Sequence, residues 1–176
     1  MIKTIVVPTD GSSHAMKAVA LASDIATKYK ARLVILHVLM RDATPTQLKQ
    51  ITKGTKLSAR TRKELTRLER IPVDTAAIAG AYAPIAVPVP YDILEEAGTA
   101  IAEKARAAAS RKGVKKVSVQ LIAGNAADSI VAAARKAKAD MIVMGSRGFS
   151  DIKGLLLGSV SHKVSHLAGC TCVTVK

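Results

Sequence analysis

The octapeptide RLVILHVL, residues 32–39, constrains this chain more than any other stretch. It is almost continuously apolar, too short for a helix of ordinary length, and lacks the alternation of a half-solvated strand. Such a run is a strand buried on both faces, which occurs in parallel sheets covered by helices. Comparable runs recur at TIVVP (4–8), KVSVQLIAG (116–124), DMIVMG (140–145) and TCVTV (171–175). Between them lie segments of helical period. From Ser13 to about Lys30, Ala15, Val19, Ala22, Ile25 and Ala26 recur at that spacing. A long Ala-rich helix is expected at 92–112, ended by Gly113. Another is expected at 125–139 with Asn125 as N-cap, and a last one from about Gly158 to Leu167. This alternation implies an α/β fold with a doubly wound parallel sheet, whose ligands bind at the carboxyl ends of the strands.

Residues 41–90 interrupt the rhythm. The segment is rich in Thr and Lys and carries one basic amphipathic helix, SARTRKELTRLER (58–70). It then runs into AGAYAPIAVPVP, whose prolines forbid a central strand and imply an extended surface loop. Its apolar content is too low for a core of its own. The expectation is therefore one domain, 1–176, with an insert at about 41–90. Leaving the sheet after the second strand, the insert is expected to form a flap over the pocket, loosely packed until a ligand orders it.

Composition narrows the function. The chain is 49% apolar with one Phe and no Trp, so aliphatic side chains build the core. Its net charge of +14 raises polyanions as partners. However, residues 41–80 hold nine Lys/Arg against four Asp/Glu, and the remaining +9 is scattered along the rest of the sequence. Too few aromatics are present to stack bases, which argues against nucleic acid. No run reaches the roughly 20 apolar residues of a membrane span, so no membrane partner is expected. The opening MIKTIVVPTDGSS reads as a strand and not as a signal peptide, so the chain is expected to be cytoplasmic. Cys170 and Cys172 share one face of a strand, and read as small core residues in a reducing compartment.

The chemistry concentrates in GSRGFSDIKGLLLGSVS (145–161). Gly145 and Gly148 follow a strand, where positive φ or a close main-chain approach calls for glycine. Gly158 and Ser159 open a helix, whose free N–H groups and positive dipole end suit a phosphate. The Ser159 and Ser161 hydroxyls add donors, and Arg147 and Lys153 add cations. A plain turn-and-cap role for these glycines is the alternative. The spacing is neither a P-loop nor GxGxxG.

This Gly-x2-Gly-x9-Gly-Ser pattern resembles that of the universal stress protein family, in its ATP-binding branch. IVVPTDGS (5–12), LHV (36–38), the block from Gly124 to Gly148 and GSVSHKVSHLAGCTCVTV (158–175) carry the likeness, which is loose over 41–90. The resemblance implies an adenine nucleotide alpha hydrolase-like, Rossmann-like sheet of five strands in the order 3-2-1-4-5. It also implies ATP, with or without Mg2+, and a homodimer formed through the last strand. Carried over, Pro8 and Thr9 would line the base pocket, and Asp10 would contact the ribose or adenine side. Val38 would offer main chain to the adenine edge, and Met144 would pack near base or sugar. Gly145, Ser146, Arg147, Gly148, Gly158, Ser159, Val160 and Ser161 would surround ribose and phosphates. Phe149 is bulkier than the family's usual residue after the second glycine.

Other constellations read as structural. His162 and His166 stand four apart without HExxH. His14 is a capping or exposed residue, and His37 a hydrogen-bonded core histidine. Asp10-Gly11 is also strong turn chemistry. Asp92, Glu95 and Glu96 suit the start of a helix. With no nucleophile–base pair, the expected function is an ATP-binding regulatory or stress-response protein. The alternative is a slow ATPase or self-phosphorylating enzyme with Ser159 or Ser161 as acceptor.

Overall fold

Side-chain alternation in the first strand already divides the interior into two layers. In β1 (Thr4–Pro8), Ile5 and Val7 point to one face and Val6 to the other, all three fully buried. A computed structural model describes residues 1–39, 43–71, 88–148 and 157–176. β2 (Arg32–Leu39), β3 (Val117–Ala123), β4 (Met141–Gly145) and β5 (Thr171–Val175) complete a five-stranded sheet. Every pairing is parallel and the order is β3-β2-β1-β4-β5, as the resemblance implies.

α1 (Ser13–Tyr29) and α4 (Tyr91–Arg111) cover the face of Ile5, Val7, Leu33 and Ile35. α5 (Ala126–Lys136) and α6 (Ser159–Leu167) cover the face of Val6, Val34, Leu36, Ile142 and Met144. β2 is buried on both sides, which explains its unbroken apolar run. The helix ends follow their caps. Ser12 Oγ accepts from Ala15 N at 3.2 Å, and Asn125 Oδ1 accepts from Asp128 N at 3.3 Å. Gly113, at φ +88°, follows the last turn of α4 in the left-handed region that glycine favours.

The insert departs from expectation. Besides α3 (Ala59–Glu69) it contains α2 (Pro45–Ile51), opened by a Thr44–Gln47 capping box with proline in its first turn. That signal was present in Thr-Pro-Thr-Gln but was masked by the polar composition around it. Leu48, Ile51, Leu65 and Leu68 are buried against Ile93, Leu94, Ala97 and Ile101 of α4, forming a third apolar cluster. The insert thus lacks a core alone but shares one with α4. Glu96 of α4 fastens it by accepting from Ser58 N and Thr61 Oγ1, each at 2.5 Å. These bonds hold its carboxyl below the usual carboxylate range. Most of the expected proline-rich loop lies in 72–87, outside the described residues; of its last three residues, Val89 is buried.

The direction of the strands decides where a crevice can open. All five run the same way, so their carboxyl ends share one end of the molecule and their amino ends the other. β1 and β4 lie side by side, yet β1 leads into α1 on one face while β4 is followed by α6 on the other. The crevice opened by that divergence lies at the carboxyl end of the sheet.

Candidate functional site

A cavity of about 270 Å³ occupies this crevice. Its apolar wall combines Leu36 and Val38 of β2, Met144 of β4, and Ala126 and Ile130 of α5. Its polar side is made by Thr9, Asp10, Arg147, Ser159 and Ser161. Twelve of the thirteen residues singled out in the sequence line it: Pro8, Thr9, Asp10, Val38, Met144, Gly145, Arg147, Gly148, Gly158, Ser159, Val160 and Ser161. Ala15, Leu36, Ala126 and Ile130 also line it and were missed. Leu36 was findable, because it lies two residues before Val38 and so shares its face. The two α5 residues follow from tertiary packing alone.

The thirteenth residue, Ser146, stands behind the wall. It is fully buried; its N–H donates to Val175 O at 2.7 Å, and its carbonyl accepts from Gly158 N at 2.8 Å and Ser161 Oγ at 2.7 Å. Ser146 thereby fixes the start of α6 against the end of β4. Ser161 is also only 4% exposed, and its Oγ lies 2.9 Å from Gly158 O. Its hydroxyl proton is committed to these carbonyls, which leaves Ser159 as the exposed hydroxyl of the first turn. Among the described residues no side chain caps α6, and a helix start leaves its first N–H groups without intrahelical partners. Lys153 and Phe149 lie outside the described residues.

The glycines act differently from the expectation that Gly145 or Gly148 takes positive φ; neither does. A Cβ on Gly145 would stand 2.9 Å from both Ala15 N and His14 C, and 3.0 Å from Arg147 O. Gly145 therefore lets β4 pass close under the start of α1. A Cβ on Gly148 would stand 2.5 Å from Asp10 Oδ2. Gly148 therefore makes room for a carboxylate. Positive φ occurs instead at Gly11, +82°, in the turn between β1 and α1.

That turn is braced from several sides. Asp10 Oδ1 accepts from Ser12 N at 2.9 Å, so Asp10 does have its turn-forming role, and its other oxygen faces Gly148. Thr9 N donates to Leu36 O at 2.8 Å. His37, 2% exposed, donates from Nδ1 to Thr9 O at 2.8 Å, as a core histidine would. Burial lowers the pKa of His37, against the opposing pull of the Thr9 bond and the Asp10 charge. Gly98 of α4 presses on His37: a Cβ there would fall 2.7 Å from its Cδ2. Ile51 of the insert and Ile101 of α4 pack behind Gly11. The insert therefore buttresses the turn from outside, and among the described residues none of it lines the cavity.

The remaining sequence candidates stay apart. His162 and His166 are exposed on α6, and among the described residues no three His, Cys, Asp or Glu side chains gather as a metal site. Cys170 and Cys172 are free thiols packed against the α5–α6 layer, and burial raises both pKa values.

Comparison with known proteins agrees with this fold. A universal stress protein of Thermus aquaticus is 33% identical over 177 residues, covering all of both chains. Among solved structures, a universal stress protein in complex with cAMP superposes with a TM-score of 0.59 at 24% identity, covering 99% of this chain and 96% of the other. A universal stress protein from Archaeoglobus fulgidus in complex with dAMP superposes with a TM-score of 0.58 at 16% identity, covering 100% and 98%. The universal stress protein family matches residues 1–176, and the chain belongs to that family.

Proposed function

We propose that this protein binds an adenine nucleotide, ATP foremost, in the crevice between β1, β4 and α5, and acts as a nucleotide-dependent regulatory protein. The observation that carries this reading is the division of one cavity into two chemistries. Leu36, Val38, Ile130 and Met144 offer an apolar slot for a planar base. Arg147 and the uncapped start of α6 offer positive charge and main-chain donors to phosphate. The cavity volume is close to the lower end of small-molecule pockets, roughly 300–1,000 Å³. Base and ribose would fill it, with the phosphates at the Gly148–Ser159 mouth. Asp10 would accept from a ribose hydroxyl. The cAMP and dAMP complexes of structural neighbours support the nucleotide class.

A bound Mg2+ would take its ligands chiefly from the phosphates, with Asp10 as the acid that lines the cavity among the described residues. The protein would work as a homodimer in the cytoplasm, with β5 at the sheet edge offering its open backbone to a second copy. Calorimetric titration with ATP, ADP, AMP and cAMP tests the reading. ATP is expected to bind, and with higher affinity than a nucleobase alone. Absence of heat with all four, together with no nucleotide in the natively purified protein, would refute it.

A further inference from the structure

The positive charge that the sequence scatters is gathered by the fold at the amino ends of the strands, opposite the cavity. Lys3, Arg32 and Lys116 stand at the entrances of three adjacent strands. Arg32 N donates to Lys3 O, and Leu33 N donates to Lys116 O, each at 2.8 Å. Neighbouring strands are about 4.8 Å apart, well inside the Debye length of about 8 Å at physiological salt, so these cations reinforce one another's field. The Arg32 guanidinium donates to Ala137 O at 3.1 Å, drawing in the end of α5 and the following Lys138. Thr27 Oγ1 donates to Lys112 O at 3.1 Å, joining the ends of α1 and α4, and Lys30 follows α1. All six of these cationic residues are exposed.

Among the described residues two acids lie nearby and offset part of this charge, leaving an excess of cations. Asp140 accepts from Lys3 N at 2.7 Å and Thr4 N at 2.9 Å, and Asp24 pairs with Lys112 at 2.7 Å. Cations in a last helical turn, such as Lys28, Arg111, Arg135 and Lys136, are explained by the helix dipole. Lys3, Arg32 and Lys116 are not, because they introduce strands.

The sequence expectation of no membrane partner rested on the lack of a spanning run alone; we infer that this end of the molecule is a docking face for an anionic membrane surface, held peripherally and without crossing. Three features favour lipid headgroups over nucleic acid. The charge is spread across the ends of β1, β2, β3, α1, α4 and α5 as a broad end face, and not along a groove that would track a strand. Five of the six residues are lysine, a point charge suited to diffuse headgroup attraction, where arginine forks suit specific phosphate contacts. Tyr29, at the end of α1 beside Lys28 and Lys30, is 45% exposed, and tyrosine settles at the membrane–water interface. The nucleotide cavity opens at the other end of the strands, so both surfaces can be occupied together. The inference stands independently of the nucleotide reading.

Sedimentation with vesicles tests it. The intact protein is expected to partition onto vesicles of phosphatidylcholine and phosphatidylglycerol in equal parts, to ignore phosphatidylcholine alone, and to be released by salt. The exposed triple substitution Lys30→Glu, Lys116→Glu, Lys138→Glu is expected to weaken partitioning on the order of a hundredfold, from the worth of each cation near an anionic surface. A matched triple in the insert, Lys53→Glu, Lys56→Glu, Lys63→Glu, changes net charge equally and is expected to keep most of the binding. Circular dichroism and melting confirm that both variants fold. No binding of the intact protein to acidic vesicles overturns the inference. So does equal loss in the two triples, which would make net charge the cause. Tighter binding to duplex DNA than to acidic vesicles at the same salt overturns it in favour of nucleic acid.

Discussion

Replacing Gly148 by alanine adds one methyl group at a place where the structure states its cost. The new Cβ would lie 2.5 Å from Asp10 Oδ2, whereas ordinary contact begins at 3.4 Å, so the carboxylate must move by about 0.9 Å. Its other oxygen is held by Ser12 N at 2.9 Å, so the movement bends or breaks that bond as well. The backbone at residue 148 is not in the left-handed region, so alanine brings no conformational strain. It also restricts the unfolded chain, a gain of about 0.4–1 kcal/mol that offsets part of the local loss. The apo protein is therefore expected to melt within a few degrees of the parent. Nucleotide affinity is expected to fall much further. Losing one hydrogen bond to a charged group costs about 1.5–3 kcal/mol, roughly a 10- to 150-fold rise in Kd. Calorimetry on Gly148→Ala, Asp10→Ala and the double variant closes the cycle. If the alanine acts through Asp10, it adds almost nothing once Asp10 is gone. Full additivity would mean that a phosphate approaches the main chain at 148 directly. Unchanged affinity in both single variants would remove Asp10 from the site. Gly148→Val, with two further carbons, is expected to abolish binding.

Gly145→Ala drives a methyl group into the backbone of α1, an overpacking of about 1–3 kcal/mol that calorimetric melting is expected to show as a Tm lower by about 2–12 °C; an unchanged Tm would deny the close contact. His37 is held neutral by burial, so below its ordinary pKa of 6.5 the unfolded chain takes up a proton that the native one resists. Its share of stability is thus complete above that pH and declines as pH falls through it; His37→Asn is expected to flatten the Tm profile between about pH 7.5 and 5.5, and an identical slope would contradict this. Removing residues 171–176 takes away an edge strand and is expected to yield monomer or aggregate by light scattering, whereas a clean dimer would place the interface elsewhere. In hydrogen exchange, ATP is expected to protect amides from Gly158 to Ser161. Those of α2 and α3, already packed on α4, are expected to change little; strong protection there would restore the insert as a lid.

The strands and most helices were legible because their causes are local. An apolar run such as RLVILHVL declares burial on both faces, and Asn125 or Gly113 declares a helix end within a few residues of itself. The strand order was not written in the periodicity at all; it came from likeness to a family and agrees with the pairing found. The residues that line the cavity were legible as a spaced motif, but their reasons were not. Gly148 and Asp10 are far apart in the chain, and only the pairing of β1 with β4 makes one answer to the other. Ser161 looked like a free donor until Ser146, buried behind it, claimed its proton. Leu48, Ile51, Leu65 and Leu68 looked too few for a core because half of that core belongs to α4. Charge shows the division most plainly. The sequence determined how many cations there are and showed a concentration in 41–80, but nothing in their order revealed the cluster at the amino ends of the strands. In a parallel sheet every strand starts, and every crossover helix ends, at the same end of the molecule. Lysines and arginines placed at those boundaries, distant along the chain, are therefore brought to one surface by the topology.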